Sequence, residues 1–184
     1  MFLTLLTLKI LKHGLDNRNT EAHTSAMDKR SVTHNTFVIE RSYPQSPERV
    51  FAAFADPAKK RRWFGEGENH DIVEFTMDFR VGGQERAEYR LNDKTPFPGV
   101  ALAHEGSYFD IVPGRRVVTA SAMALGGRRI SVTLVTVELV AKEAGTTLIL
   151  THQGAFFEGS DGPQMRKAGW EKLVDRLAAE LEGA

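Results

Sequence analysis

The sequence predicts an α+β fold, in which one curled antiparallel sheet is covered by a single long helix at the C-terminal end. Over the last part of the chain, apolar residues recur at offsets 0, 3, 4, 7, 8 and 11, the period of a helix with one broad apolar face. These residues are Trp170, Leu173, Val174, Leu177, Ala178 and Leu181. Between residues 70 and 153 the apolar period is two, as in strands. A helix laid over a curled sheet encloses a cavity, so we expect one here.

The composition fits one ordinary domain. The chain has 184 residues, of which 41% are apolar and 26% are charged, as in a typical globular protein. Basic and acidic residues number 24 each, so no global electrostatic field would recruit nucleic acid or an anionic membrane. The chain has no cysteine, which excludes disulfides, thiolate metal sites and a cysteine nucleophile. The lack of cysteine also agrees with a reducing compartment, and we expect a cytoplasmic location.

Residues 1–34 are predicted to be an extension outside the domain, flexible or created by an early start site, and residues 35–184 to be the domain itself. The first fourteen residues are apolar but interrupted by Lys9, lack a basic region before them, and are too few to span a bilayer. Residues 16–36 are polar and typical of a linker, and Met27 offers a second start. The alternative is an amphipathic helix for dimer or membrane contact. Its apolar residues cover more than one helical face: Leu3, Leu5, Leu6, Leu8, Ile10 and Leu11.

The domain is predicted to begin with a strand followed by two short helices. Polar and apolar residues alternate over residues 37–43, which indicates a strand. Ser46 can then cap a helix whose first position is Pro47. Asp56 and Pro57 repeat this signal, so a second short helix should follow directly and end near residue 65. The two helices form a bent pair.

Six more strands are predicted after this pair. In the first, Val73, Phe75, Met77 and Phe79 share one face, and Gly82-Gly83 makes the turn. On the returning strand Ala87, Tyr89 and Leu91 face inward, and Glu85 shares their parity. Glu85 is therefore an acid aimed inward. Four further strands are expected near 101–111, 116–124, 129–141 and 146–153, separated by the hairpin signals Pro113-Gly114, Gly126-Gly127 and Ala144-Gly145.

Five segments, in this order, resemble the START-like or birch-pollen-allergen-like (SRPBCC) superfamily, and within it the branch similar to activators of the heat shock protein 90 ATPase. They are VFAAFADPAKKRRWF at 50–64, MDFRVGG at 77–83, GSYFDIVPGRRVV at 106–118, GTTLILTHQG at 145–154 and GWEKLVDRLAAEL at 169–181. The resemblance spans residues 37–182 and implies a helix-grip fold. Its members include lipid carriers, hormone receptors, polyketide cyclases and co-chaperone domains on one scaffold.

The residues predicted to line the cavity come from three parts of the chain. The alternation places Phe75, Met77, Phe79, Glu85, Ala87 and Tyr89 on the inner face of the first hairpin. Trp63 and Phe64 should stand at its helical mouth, while Trp170, Leu173 and Val174 should face it from the last helix. Apolar walls with a few polar groups suit a small-molecule pocket. The alternative is that these side chains simply fill a core, and the resemblance favours a cavity.

Three further polar residues accompany Glu85 as candidates. An inward carboxylate has a raised pKa unless it is paired, and it could orient a ligand or act as a base. Alternatively, Glu85 reaches water near the turn or pairs with Arg80. His104 and Tyr108 share parity on one strand and could enter the same space, while His152 lies on the face of Leu148 and Leu150, where a hydrogen-bonded core histidine is the alternative.

Other kinds of site find little support. The six histidines are scattered and no two lie at ligand spacing, so we expect no metal and no cofactor. No serine lies in a nucleophile elbow, and no glycine-rich phosphate loop follows a strand. The basic run at 59–62 is read as a solvated helix face rather than a nucleic-acid contact, because no aromatic platform accompanies it.

These observations favour a protein that binds a small hydrophobic or aromatic ligand, with Glu85, Tyr89, Tyr108 and His104 as the polar groups that fix it. One alternative is a cyclase- or hydrolase-type enzyme in which Glu85 or His104 is the general acid or base. Another is a co-chaperone-like module that binds a chaperone or another protein through its surface. A homodimer is a further alternative, although no residue demands it.

Overall fold

The computed structural model describes residues 31–183, so the expectations for residues 1–30 lie outside the described part of the chain. The elements in chain order are β1 (Thr33–Tyr43), α1 (Pro47–Ala55), α2 (Pro57–Lys60), a π-helical turn (Arg61–Gly65), β2 (His70–Met77), β3 (Gln84–Leu91), β4 (Ala101–Val112), β5 (Arg116–Leu125), β6 (Arg128–Lys142), β7 (Gly145–Phe156) and α3 (Gly162–Glu182). None of the helices in this part of the chain is long and apolar enough to cross a membrane.

The seven strands form one antiparallel sheet in the order β1-β7-β6-β5-β4-β3-β2. Hairpins join all neighbours except β1 and β7, which pair along the whole of β1. The β6–β7 hairpin turns at Gly145, where φ is 129° and a Cβ atom would lie 2.1 Å from the carbonyl oxygen of Tyr43. Only glycine fits this turn. The predicted α+β class, the curved antiparallel sheet and the hairpins are confirmed.

The long helix α3 packs over the inner face of the sheet. Val174, Leu177 and Leu181 of α3 are buried against β1, β6, β7 and α1. The hydroxyl of Tyr43, at the end of β1, donates to the carbonyl oxygen of Val174 over 3.0 Å. Burial of this apolar stripe is what holds the helix on the sheet, since burying one such side chain contributes about 1.5–3 kcal/mol.

The two short helices begin where the capping signals predict. The Ser46 side chain accepts from the backbone N–H of Arg49 at the start of α1. Asp56 Oδ1 accepts from the N–H groups of Ala58 and Lys59 at the start of α2, at 2.8 and 3.1 Å. The π-helical turn then closes with a bond from the Glu66 N–H to the Arg61 carbonyl. These elements place Lys60 and Trp63 against the sheet, where both are buried.

Three β-bulges interrupt the sheet, in β2, β4 and β6, and two of them change the alternation that the sequence predicts. The first, between Ile72 and Glu74, leaves Val73 unpaired and 55% exposed. The prediction that Val73 shares the inner face was therefore wrong, because the bulge inserts one residue and shifts the parity. The second bulge, after Tyr108 in β4, leaves Phe109 63% exposed while Tyr108 stays buried.

Candidate functional site

A group of four polar side chains, the Glu85 cluster, lies inside the protein beneath α2 and the π-helical turn. Glu85 Oε2 accepts hydrogen bonds from the Lys60 ammonium and from the Tyr108 hydroxyl. The Lys60 ammonium also lies 3.1 Å from the Tyr108 hydroxyl oxygen. His104 Nε2 lies 3.4 Å from the other carboxylate oxygen, Oε1. The cluster thus joins a helix end to two neighbouring strands.

The sheet register explains why the carboxylate points inward. Met77, Glu85, Gly106, Ser121 and Thr133 are successive cross-strand partners on the inner face of β2 to β6. A Cβ atom on Gly106 would lie 3.1 Å from the Ser121 Cβ, so the row is tightly spaced at that point. The hydroxyls of Ser121 and Thr133 bond to each other at 2.9 Å. The row therefore carries polar groups through an otherwise apolar face.

The charges of the cluster compensate one another. The exposed fractions of Lys60 and Glu85 are only 6% and 2%. Burial acts to raise the pKa of Glu85, but the charge of Lys60 and the hydrogen bond from His104 outweigh it and hold that pKa below its usual range. Burial, and then the charge of Glu85, raise the pKa of Tyr108. At neutral pH the carboxylate is therefore ionised and the phenol is a neutral donor.

One alternative for Glu85 and one expectation for Lys60 do not describe the structure. Glu85 neither reaches water nor pairs with Arg80, which instead pairs with Asp78 at 2.8 Å. Lys60 does not belong to a solvated helix face, because the inward carboxylate gives its ammonium a buried partner. The remaining basic run does meet solvent: Arg61 and Arg62 are exposed, and Arg62 makes a bidentate pair with Glu180 of α3 at 2.8 and 2.5 Å.

A cavity of about 40 Å³ adjoins the cluster, between the sheet and α3. Its walls are Phe54, Lys60, Trp63, Phe64, Glu85, His104, Val117, Thr119, Ser121, Val135, Val137 and Trp170. This space holds one or a few waters and is far smaller than the 300–1,000 Å³ of an ordinary ligand pocket. The predicted residues Trp63, Phe64, Glu85, His104 and Trp170 meet here, in a space too small for a ligand as it stands.

Aromatic rings close the cavity on the helix side. The rings of Phe64 and Trp170 lie 6.0 Å apart, and Phe64 also meets His104 edge-on at 5.4 Å. Trp63 is 2% exposed and donates its indole N–H to the carbonyl oxygen of Ala53 at 2.8 Å, so it is fixed in place. Phe64 and Trp170 are only partly buried. These two rings are therefore less tightly enclosed than Trp63.

The other predicted residues on the first hairpin lie around the cluster and not on the cavity wall. Phe79 packs edge-on against the Tyr108 ring at 5.0 Å. Ala87 is fully buried, and the Tyr89 ring meets His70 at 4.5 Å. Phe75 and Met77 are partly buried at the β2 edge of the sheet.

Leu173 and Val174 belong to the main core, where Val174 accepts the hydrogen bond from Tyr43. These two residues fill the core, as the alternative stated, and do not line the cavity.

His152, on β7, belongs to an aromatic stack next to Trp170 of α3. Its ring stacks on Phe37 at 4.5 Å with an angle of 6°, and it meets Trp170 edge-on at 6.4 Å. Its Nδ1 is buried without a hydrogen-bond partner among the described residues. Burial, and then the charge of Arg166, lower its pKa to about 4. His152 is therefore a neutral core residue, stacked and not bonded through Nδ1.

Sequence reasoning missed Lys60, the bonded pair of Ser121 and Thr133, and Thr119 on the cavity wall. The signal for Lys60 was present: it precedes Trp63 and Phe64 by three and four residues, so all three lie on one helical face. An inward carboxylate also requires a cationic partner. Among the described residues, no group of His, Cys, Asp and Glu could hold a metal ion.

Two solved structures from Rhizobium species share this fold and more than 30% of the sequence. The structure resembles an uncharacterised protein from Rhizobium leguminosarum, with 36% identity, a TM-score of 0.78, and coverage of 84% of this chain and 98% of that one. It also resembles the Mll3558 protein from Rhizobium loti, with 45% identity, a TM-score of 0.74, and coverage of 82% and 99%.

An AHSA1-like protein from Aeromonas hydrophila shares the fold at 21% identity and a TM-score of 0.59, covering 81% of this chain and 93% of that one. None of the curated proteins matches the chain. The model of one protein family, described as Activator of Hsp90 ATPase homolog 1-like protein, matches residues 44–182. The resemblance inferred from the sequence is thereby confirmed, and the chain belongs to this Hsp90-activator-like family.

Proposed function

We propose that this protein binds a small hydrophobic or aromatic ligand between the sheet and α3, against the Glu85 cluster. One observation carries the proposal: a buried ion pair, bonded to a buried phenol, forms part of the wall of an aromatic cavity. Apolar residues of similar volume often replace a buried ion pair at no cost in stability. Buried, mutually perturbed ionisable groups at a cleft are candidates for a functional site.

Ligand entry requires the cavity to grow. The present volume of about 40 Å³ excludes any organic molecule of useful size. Phe64 and Trp170 are partly buried and face each other across the helix side of the cavity. Outward rotation of the two rings would merge the cavity with the surface, without moving Trp63 or the strands.

The cluster also defines the chemistry of the ligand. Lys60 and Glu85 neutralise each other, so the site does not require a charged ligand. Glu85 Oε1 has only the long contact with His104, which leaves it able to accept another hydrogen bond. The Ser121 hydroxyl, which is bonded to that of Thr133, provides a second polar point on the cavity wall. The ligand we propose therefore has an apolar or aromatic body with a hydroxyl or amide donor.

Acid–base catalysis in the same cavity is the enzymatic alternative. The lowered pKa of Glu85 makes it a weak base and leaves no proton to donate at neutral pH, which favours binding over catalysis. A Glu85→Gln variant separates these alternatives, because it would abolish turnover by an enzyme while leaving ligand affinity largely intact.

A protein-binding role, as the family name suggests, is the remaining alternative. It would depend on the surface of the domain, so filling the cavity would leave partner binding unchanged. A cytoplasmic location is also part of the proposal, and its support is the cysteine-free composition.

The test is a thermal-shift screen of lipids and aromatic metabolites on a matched pair of variants. Val135→Phe adds volume to the cavity wall, whereas Val140→Phe makes the same change on the outer face of the same strand. We expect compounds that raise the Tm of the wild type and of Val140→Phe, but not of Val135→Phe. If no compound raises the Tm, or if both variants respond alike, the proposal fails.

A further inference from the structure

The outer face of the sheet, opposite α3, carries a broad and shallow groove that both polar and apolar side chains line. The groove has a volume of about 710 Å³ and crosses β1, β7, β6 and β5. One row of cross-strand partners along it is Thr36, Gln153, Leu134 and Ala120, and the next row includes Ala155 and Val132. We call this surface the outer groove. The small alanine side chains form its floor between larger neighbours.

Three exposed apolar side chains lie in the outer groove or beside it. Val132 and Leu134 are 42% and 38% exposed, and Val38 on β1, in the row next to Thr36, is 47% exposed. No helix covers this face among the described residues, whereas α3 covers the inner face. Val132 and Leu134 are neighbours on the outer face of β6, and adjoining exposed apolar side chains of this kind mark a contact surface.

The chain itself supplies a segment of suitable chemistry. Residues 2–11 have the sequence FLTLLTLKIL, in which Lys9 is the only charge. The chain enters the fold at β1, and His34 and Thr36 at the start of β1 line the outer groove. About 20 residues separate the segment from β1 and span at most about 70 Å when extended, so the segment reaches the groove easily.

The family match does not include this part of the chain. The Rhizobium structures are covered over 98% and 99% of their length, but they cover only 84% and 82% of this chain. The family match begins at residue 44 and ends at 182, so most of the unmatched chain precedes the match.

We propose that residues 2–11 dock in the outer groove and cover Val132 and Leu134. The tether keeps the segment at an effective concentration on the order of millimolar, which favours it over a second copy of the chain at cellular concentrations. Docking buries the apolar side chains of both surfaces and needs no charged partner. The interaction is independent of the ligand site, which lies on the other face of the sheet.

The absence of native cysteine permits a clean crosslinking test in the full chain. One variant combines Leu8→Cys with Gln153→Cys, in the outer groove. The control combines Leu8→Cys with Thr76→Cys, which lies on the outer face of β2 at the far edge of the sheet. We expect the intramolecular disulfide to form at least about tenfold faster in the groove pair, and Leu134→Asp to remove the difference. Peptide mass mapping after oxidation in dilute solution identifies the bond.

Three results would overturn the proposal. The first is equal rates of disulfide formation in the two pairs. The second is formation of disulfide-linked dimers in place of the intramolecular bond, which assigns the groove to a second copy. The third is binding of the full chain to phosphatidylcholine or phosphatidylglycerol vesicles that Leu5→Asp abolishes. In that case Leu5→Asp would change neither the rate of disulfide formation nor the binding of an apolar fluorescent dye.

A second readout avoids engineered cysteines. Leu5→Asp with Leu8→Asp should increase binding of an apolar fluorescent dye, and Leu134→Asp in the same chain should reverse the increase. Unchanged dye binding in the segment variant would also contradict docking.

Discussion

Lys60 at the end of α2 and Glu85 near the start of β3 form an ion pair that is almost wholly excluded from solvent, although 25 residues separate them in the chain. Neither residue could be buried alone, because an unpaired charge in an apolar interior costs several kcal/mol. The pair therefore couples the docking of α2 to the inner face of the sheet, beside the proposed ligand site.

Removing one member of this pair should destabilise the fold strongly. Lys60→Met leaves the Glu85 carboxylate buried and unpaired, so we expect a loss of about 3–5 kcal/mol in the free energy of unfolding, measured with urea. Lys60→Met with Glu85→Leu should recover much of this loss. The control is Arg61→Met, which breaks an exposed pair with Glu66 and should cost less than about 1 kcal/mol. Equal losses for Lys60→Met and Arg61→Met would contradict the account.

The same pair should make stability depend on pH in the acid range. The pKa of Glu85 is lower in the folded state than in the unfolded state, so the unfolded state takes up the proton first. The stabilisation is fully present above the unfolded carboxyl pKa of about 4.3 and is lost as the pH falls below it. Urea unfolding at pH 7, 4 and 3 should show a shallower decline for Glu85→Gln than for the wild type. Parallel curves would show that Glu85 is not stabilised as an anion.

His152 should cause a separate decline in stability, at a higher pH than the decline caused by Glu85. Its pKa is lowered to about 4 in the folded state, below the usual 6.5, so the unfolded state binds the proton more readily. Its contribution is therefore complete above about pH 6.5 and is lost as the pH falls toward about 4, on the order of 3 kcal/mol in all. His152→Phe keeps a ring against Phe37 and should flatten the urea-derived stability between pH 7 and pH 5. His34→Gln, at an exposed position, should leave that slope unchanged. If the stability of His152→Phe declined with pH as steeply as that of the wild type, His152 would not be the source of the decline.

The rings of Phe64 and Trp170 beside the cavity lead to a further prediction. Trp170→Ala removes one of the two rings that cover the cavity, so an apolar fluorescent dye should bind more strongly than to the wild type. The truncation should also cost about 2–4 kcal/mol of stability, because it removes a large packed ring. Leu173→Ala on the same helix, which packs on the core away from the cavity, serves as the control. If dye binding increased equally in both variants, Trp170 would not control access to the cavity.

The sequence predicts the fold well because its signals are local. The Ser46 and Asp56 caps, the proline that follows each, and the glycine turns all act within a few residues, and the structure contains each of them. Strand alternation then assigns the inner face, including Glu85 and Tyr108. The alternation fails at Val73. A bulge depends on how two strands pair, so the sequence of one strand alone does not indicate it.

The candidate site is predictable only in part. Glu85 follows from alternation, but its partner Lys60 lies on another element, and the helix packing that unites them is a tertiary event. The pair of Ser121 and Thr133 was missed for a similar reason, since register decides which polar residues of two strands become neighbours. The cavity volume depends on the rotamers of Phe64 and Trp170, which the sequence does not specify.

Native mass spectrometry of the protein purified without refolding tests the central claim most directly. We predict that the native mass exceeds the denatured mass by one small apolar or aromatic molecule, and that Val135→Phe purified in the same way lacks it while Val140→Phe retains it. Identical native and denatured masses, together with no gain in Tm from any compound in the lipid and aromatic panel, would contradict ligand binding and favour a function at the protein surface.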